Sequence, residues 1–247
     1  MARLFVASEQ LSTARLVVSG DAHRYLTRVL RLAPGAEVDL FDGRGTEVTG
    51  TIAAIDARTV TFDLGERREI ARRRTAPVTL LQGLPRAERM ELVVQKATEL
   101  GAARVVPVRT ARSAAGQQGR PDRWEKIAQE AARQSGRADW PALGAVTGLA
   151  DAIAGLDAGG LRIVPWEEAP DARPLTAILA DATATGAPAV ATVTVLIGPE
   201  GGLTRDEVEL VLQAGFQIAT LGPRILRTET AAIVAMALAQ GALGALE

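Results

Sequence analysis

Apolar positions fall into short strand-like runs over the first third of the chain and into alternating strand and helix patterns thereafter. Leu4-Phe5-Val6 and Leu16-Val17-Val18 each have the length of a strand. Asp21 stands where a helix cap would, ahead of His23, Tyr25, Leu26, Val29 and Leu30 at helical spacing. Val38-Asp39-Leu40-Phe41 then leads into the turn Asp42-Gly43-Arg44-Gly45, and strand patterns follow over 47–55 and 59–64. The pattern predicts a small β-barrel with one helix in residues 1–72. The arginine runs Arg67-Arg68 and Arg72-Arg73-Arg74 read as the linker after it.

From residue 77 the period changes. A strand is predicted over 78–81 and a helix over 89–100, with Met90, Val93, Val94, Ala97 and Leu100 on one face and Gly101 as its stop. A strand over 104–108 follows, then a helix opened by Pro121 that carries Trp124, Ile127, Ala128 and Ala131. Gly116 to Gly119 reads as a polar loop between them. A strand over 161–164 ends in Pro165-Trp166-Glu167-Glu168, and a short helix covers 175–179. Strands alternating with helices over 77–247 predict an α/β domain with a mostly parallel sheet.

The most informative stretch is 191–235. The apolar run over 191–197 predicts a buried strand, and it ends in Gly198-Pro199-Glu200-Gly201-Gly202. Thr204 and Glu207 form a capping box for a helix that stops at Gly215. A second strand over 218–221 ends in Gly222-Pro223, followed by Arg224-Ile225-Leu226-Arg227-Thr228-Glu229-Thr230 and an Ala-rich helix, apolar all round, over 230–245. Two neighbouring strands, each ending in a Gly-Pro loop before a helix, predict a ligand crevice at their carboxyl ends.

Composition narrows the chemistry. The 247-residue chain has no cysteine and a single histidine, His23, which excludes thiolate metal sites and makes a histidine-based metal site or catalytic triad improbable, so no metal is expected. Net charge is −1, so any nucleic-acid contact must come from local patches. Among 28 basic side chains only Lys96 and Lys126 are lysine, and guanidinium groups meet phosphates bidentately. No apolar run nears the ~18 residues of a membrane span, and Arg3 and Glu9 interrupt any leader-like start. A soluble cytoplasmic protein is expected.

The strings IGPEGGLT and LGPRILRTETA resemble the cofactor-binding motifs of SPOUT-class RNA methyltransferases, which use S-adenosylmethionine (SAM). Together with QKATELG over 95–101 and the EAxxQSxR pattern over 130–137, they resemble the RsmE family, which methylates N3 of a uridine in 16S ribosomal RNA. The resemblance covers nearly the whole chain and is weakest over 140–190. It implies a PUA-like RNA-binding domain over 1–72 and a SPOUT domain over 77–247 with a trefoil knot. It also implies a homodimer and the small ribosomal subunit as partner. Rival readings are another SPOUT methyltransferase, acting on transfer RNA or a ribose hydroxyl, and a non-catalytic RNA-binding module.

On this resemblance the SAM site comprises Ile197, Gly198, Pro199, Glu200, Gly201, Leu221, Gly222, Ile225, Leu226 and Arg227. The isoleucines and leucines would form apolar walls, and the loop backbone would supply directional hydrogen bonds. Methylating N3 requires the uridine proton to leave, and a fixed arginine stabilises the resulting imide anion without itself deprotonating. Arg227 is the candidate for that role. Either Glu229 or Glu200 accepts the proton, or Glu200 offsets the sulfonium charge; loop-fixing ion pairs are the alternative for all three. Candidates for RNA contact are His23, Arg24, Arg28 and Arg31, with Arg3 and Arg86 beside them.

Overall fold

In the computed structural model, which describes residues 2–70, 76–113, 119–169, 171–184 and 190–246, the chain divides into two compact units. The first comprises Met1–Arg72 with Gln129–Trp140, and the second comprises Arg73–Ala128 with Pro141–Glu247.

In the first unit the strands are β1 (Ala2–Phe5), β2 (Arg15–Ser19), β3 (Glu37–Phe41), β4 (Thr46–Ile55) and β5 (Thr59–Glu69), ordered β1-β3-β4-β5-β2 in one sheet. Only β1 and β3 run parallel. Period-two alternation is clearest in β2, where Leu16 and Val18 are buried while Val17 faces solvent. They join Leu26, Leu40, Val60 and Phe62 in the core. The turn after β3 is held by Asp42, whose Oδ1 accepts the N–H groups of Arg44 (2.8 Å) and Thr46 (3.0 Å). Burial raises the Asp42 carboxyl, yet these donors outweigh it and leave the pKa below the ordinary carboxylate value.

The predicted helix after β2 is built differently. Helix α1 (Gly20–Arg24) widens into a π-turn over Tyr25–Val29, with Leu30 N–H donating to Tyr25 O. Ser19, not Asp21, occupies the cap position, and Asp21 pairs with Arg24 instead. Regular helical spacing would put Val29 on the buried face. The wider turn keeps Leu26 in the core and leaves Val29 68% exposed. Arg31 ends the turn at φ 54°, a region non-glycine residues seldom adopt.

Strand β5 also runs past its expected end. Arg67 and Arg68 lie within it, opposite Val48 and Glu47, so they are strand residues and not linker. Arg68 donates to Thr49 Oγ1 (2.7 Å), and its guanidinium lies 3.7 Å from Glu47. The other arginines of the expected linker, Arg72 to Arg74, and most of the loop from Gly116 to Gly119 lie outside the described residues.

In the second unit the elements are β6 (Val78–Gly83), α2 (Ala87–Glu99), β7 (Arg104–Arg109), α3 (Pro121–Ser135), β8 (Ala142–Leu143), β9 (Thr147–Gly148) and α4 (Leu149–Ala154). They continue with β10 (Leu161–Pro165), α5 (Leu175–Thr183), β11 (Val193–Ile197), α6 (Arg205–Gln213), β12 (Gln217–Ala219) and α7 (Thr228–Ala242). The last turns of α3 belong to the first unit, where Arg133 stacks on Tyr25 at 4.0 Å. The sheet order is β12-β10-β11-β6-β7-β8, with β9 also on β7, and every pairing is parallel. Each residue of β11 is buried, as a strand covered on both faces requires. Because all strands point one way, their carboxyl ends gather at one edge of the sheet, and the site is built there.

The Gly-Pro strands are not neighbours, however. β10 lies between β11 and β12, so the end at Pro165-Trp166-Glu167 sits between the two loops. Among the described residues no helix is long and apolar enough to cross a membrane.

Candidate functional site

The loops after β10, β11 and β12 surround a cavity of about 710 Å³, a size that suits a small ligand or cofactor. From the first come Pro165, Trp166 and Glu167; from the second Ile197, Gly198, Pro199, Glu200 and Gly202; from the third Thr220 through Arg227. Thr228 and Ala231 of α7 and Arg89 of α2 complete the wall.

The loop after β11 is fixed from several directions. Glu207 Oε2 accepts the Thr204 N–H (2.9 Å) and Thr204 Oγ1 accepts the Glu207 N–H (3.3 Å), the expected capping box. The other oxygen of Glu207 accepts the N–H of Ala111 (2.7 Å), which ties the end of β7 to the same turn. Arg112 donates to the carbonyls of Gly201 (2.9 Å) and Leu203 (3.4 Å). Gly202 sits at φ 71°, a left-handed backbone that favours glycine, and a Cβ there would also have to displace the Glu167 carboxylate. Gly201, expected in the cofactor wall, instead packs on Arg112 and is absent from the cavity lining.

The loop after β12 is held more lightly. Gly222 turns at φ 105°, and Thr220 Oγ1 accepts its N–H at 3.1 Å. Beyond it Ile225 is 87% exposed, and Arg224 and Arg227 are exposed too. Arg227 forms the cap position of α7, whose start at Thr228 is two residues earlier than expected from sequence. Among the described residues no carboxylate lies within ion-pair distance of its guanidinium.

The two candidate carboxylates differ in placement. Glu200 lines the cavity, accepts the N–H of Arg86 (3.0 Å) and lies 3.6 Å from Arg89. Glu229 is outside the lining; its Oε2 is buried without a hydrogen bond and lies 3.6 Å from Arg89. Arg89 thus stands between two carboxylates with its guanidinium at the cavity. Helical periodicity marks it only as a polar-face residue of α2, so nothing in the pattern singles it out. Gln82 and Thr228 carried no expectation either, since their partners lie far away in sequence.

The candidate RNA residues are scattered in role. Arg24, Arg28 and Arg31 are exposed on the helix and π-turn of the first unit, while His23 Nε2 lies 3.0 Å from the Asp56 carbonyl. Arg86 projects its side chain outward from the second unit. Arg3 points inward: it pairs with Glu47 (2.7 Å), lies over the Phe41 ring (5.0 Å) and donates to Arg137 O (3.1 Å). Its guanidinium binds the first unit together and offers no open face to a phosphate.

The sequence pattern of an RNA methyltransferase domain matches residues 72–240, and that of an RNA methyltransferase PUA domain matches 18–65. This chain belongs to the ribosomal RNA small subunit methyltransferase E family. The Mycobacterium bovis member is 34% identical over 93% of this chain and 86% of its own length. The Bacillus subtilis member is 30% identical over 89% of this chain and 87% of its own. The Neisseria gonorrhoeae member, solved bound to S-adenosyl methionine, superposes with a TM-score of 0.83 at 27% identity, covering 98% of this chain and 97% of that one.

Proposed function

We infer that the protein transfers a methyl group from SAM to ribosomal RNA of the small subunit, and we propose N3 of a uridine as the acceptor. The observation that carries the reading is the cavity at the carboxyl ends of β10, β11 and β12, with apolar walls, turned backbone groups and an uncompensated arginine at its edge. Ile197, Leu221, Ile225 and Leu226 would hold the adenine and methionine portions, and the backbone at Gly198, Gly202 and Gly222 would give directional hydrogen bonds. The cofactor contributes an electrophilic methyl on a sulfonium. The protein's own task is to orient the acceptor and stabilise its deprotonated form.

Arg227 fits the anion-stabilising role because among the described residues no carboxylate offsets its charge. Glu200 is the proton acceptor or sulfonium counter-charge, since it reaches the cavity. Glu229 is reassigned: from behind Arg89 it orients that guanidinium. The exposed Arg24, Arg28 and Arg31 supply phosphate contacts from the first unit.

Two further proposals concern architecture. The chain leaves the edge strand β12 and returns as α7 to pack on β6 and β11 in mid-sheet, and this return supports threading of the C-terminal segment into a trefoil knot. Ile233, Ala237 and Leu238 of α7 remain partly exposed, which supports a homodimer through that face. Such an enzyme would work in the cytoplasm.

Incubating the protein with small subunits and labelled SAM, then digesting the RNA to nucleosides for mass spectrometry, tests the reading. The expected product is 3-methyluridine. A different methylated nucleoside would move the acceptor, and no methylation at all would leave an RNA-binding module.

A further inference from the structure

Behind the cavity wall lies a buried polar relay with one unanswered atom. Gln82, at the end of β6, is fully buried, and its Nε2 donates to Gly83 O (2.9 Å) and to Thr228 Oγ1 (2.9 Å). Thr228 Oγ1, having accepted that bond, donates its own proton to Gly198 O at 2.6 Å. Gln82 Oε1 is buried with no hydrogen-bond partner. Rotating the amide would not help, because its oxygen would then face the Gly83 carbonyl, which has no hydrogen to give. The orphaned acceptor is thus forced by the direction of the relay. A buried unsatisfied acceptor destabilises the fold, and such local violations cluster at functional sites.

The relay joins the two cavity loops at a single point. Gly198 begins the loop after β11, and Thr228 closes the loop after β12 as the first residue of α7. Gly83 adds a steric stop from below, since a Cβ there would lie 2.6 Å from Pro199 Cδ. Neither Gln82 nor its orphaned oxygen belongs to the cavity lining.

We infer that Gln82 is a positioning residue that sets both loops through Thr228 before the ligand arrives, and so raises cofactor affinity without touching the cofactor. The inference rests on the SAM reading of the cavity. It separates two properties that usually travel together: the relay helps binding while its orphaned oxygen works against stability.

The test is isothermal titration with S-adenosylhomocysteine, beside thermal melting, for the wild type, Gln82→Leu, Thr228→Val and Thr228→Ser. Gln82→Leu removes the orphaned acceptor together with the relay. It should melt near the wild-type temperature, because loss of the orphaned acceptor offsets the donor withdrawn from Gly83 O. It should bind about five- to tenfold more weakly, the scale of one lost positioning bond. Thr228→Val should lose affinity to a similar degree, and Thr228→Ser, which keeps the hydroxyl, should recover most of it. Unchanged affinity in Gln82→Leu overturns the inference. So does early melting of that variant with serine failing to outperform valine at position 228, because the relay would then be a fold contact alone. A wild type with no affinity for S-adenosylhomocysteine strikes instead at the SAM reading itself.

Discussion

The two Gly-Pro loops look alike in sequence and are held in opposite ways. The loop after β11 is bound through Arg112, Thr204, Glu207, Thr228 and the Arg86 backbone. In the loop after β12, Ile225 is 87% exposed and Arg227 meets no carboxylate among the described residues. A pinned loop presents its backbone in one geometry, so a ligand need not order it on binding. The freer loop is set only at its Thr228 end and keeps its apolar and cationic side chains available for contacts made once ligands arrive. Division of the site into a preset half and an adaptable half gives each loop a different sensitivity to mutation.

The largest effect is expected at Arg227. Arg227→Ala should lower single-turnover methylation by about 10²–10³ while cofactor affinity and melting stay near wild type. Lysine should restore only part of the rate, because a point charge cannot match a planar two-donor contact. Raising pH should recover some of the loss, since the acceptor then ionises more readily without help. Loss of cofactor binding together with early melting would show that Arg227 shapes its loop, and the preset and adaptable halves would no longer be distinct.

Next comes a pair of glycines that sequence treats as equals. Gly202→Val forces a left-handed backbone and drives a side chain into Glu167, so cofactor affinity should fall more than about tenfold. Gly201 has no such backbone demand, and its added Cβ would sit tight against Arg112 Cβ at 3.0 Å, a contact that a shift of a few tenths of an ångström relieves. Gly201→Val should therefore weaken binding less than Gly202→Val. Titration of the two variants side by side decides it, and the reverse order would mean that Gly201 reaches the cofactor directly.

How much of this was legible beforehand follows the range of the interactions. Buried β11 and the Thr204–Glu207 capping box depend on neighbours within a few residues, and both stood in the pattern. The second partner of Glu207, Ala111, is 96 positions away, and Gln82 meets Thr228 across 146. Periodicity carries no trace of such pairs. Arg3 shows the same limit: its inward turn is set by Glu47 on another strand, so it read as a free basic residue. The π-turn at Tyr25–Val29 likewise escaped notice, because regular helical spacing assigns Val29 to the wrong face. Residues 129–140 carry no sign that they pack with the first unit, where Trp140 meets Phe5 at 5.0 Å.

Ile225 gives a subtler reading of the adaptable half. A side chain 87% exposed contributes almost nothing to folding, so Ile225→Ser should leave melting unchanged. If the cofactor covers part of it, the variant should lose about 1 kcal/mol of binding, or roughly fivefold in affinity. Titration with S-adenosylhomocysteine measures this directly. Equal affinities would place Ile225 outside the cofactor contact and leave it free to meet RNA.

The smallest expected effect belongs to Arg112, and it probes whether the first loop is preset at all. Arg112 touches no cavity atom; it holds the carbonyls of Gly201 and Leu203 from the far side. Both bonds are at least partly open to water, so together they are worth about 1 kcal/mol or less. Arg112→Ala should weaken cofactor binding about two- to fourfold, with the larger share appearing as a less favourable binding entropy, because the loop must now be ordered by the ligand. Amide exchange at Gly201 and Gly202 should quicken in the free variant and return to the wild-type rate once S-adenosylhomocysteine is bound. Arg112→Lys should recover part of the loss, since both carbonyls are met by one nitrogen of Arg112. An ammonium also has donors for them, though on a more mobile stem. Unchanged exchange in the free variant would mean that the capping box and the Thr228 bond already fix the loop by themselves, and Arg112 would then be dispensable to the preset half.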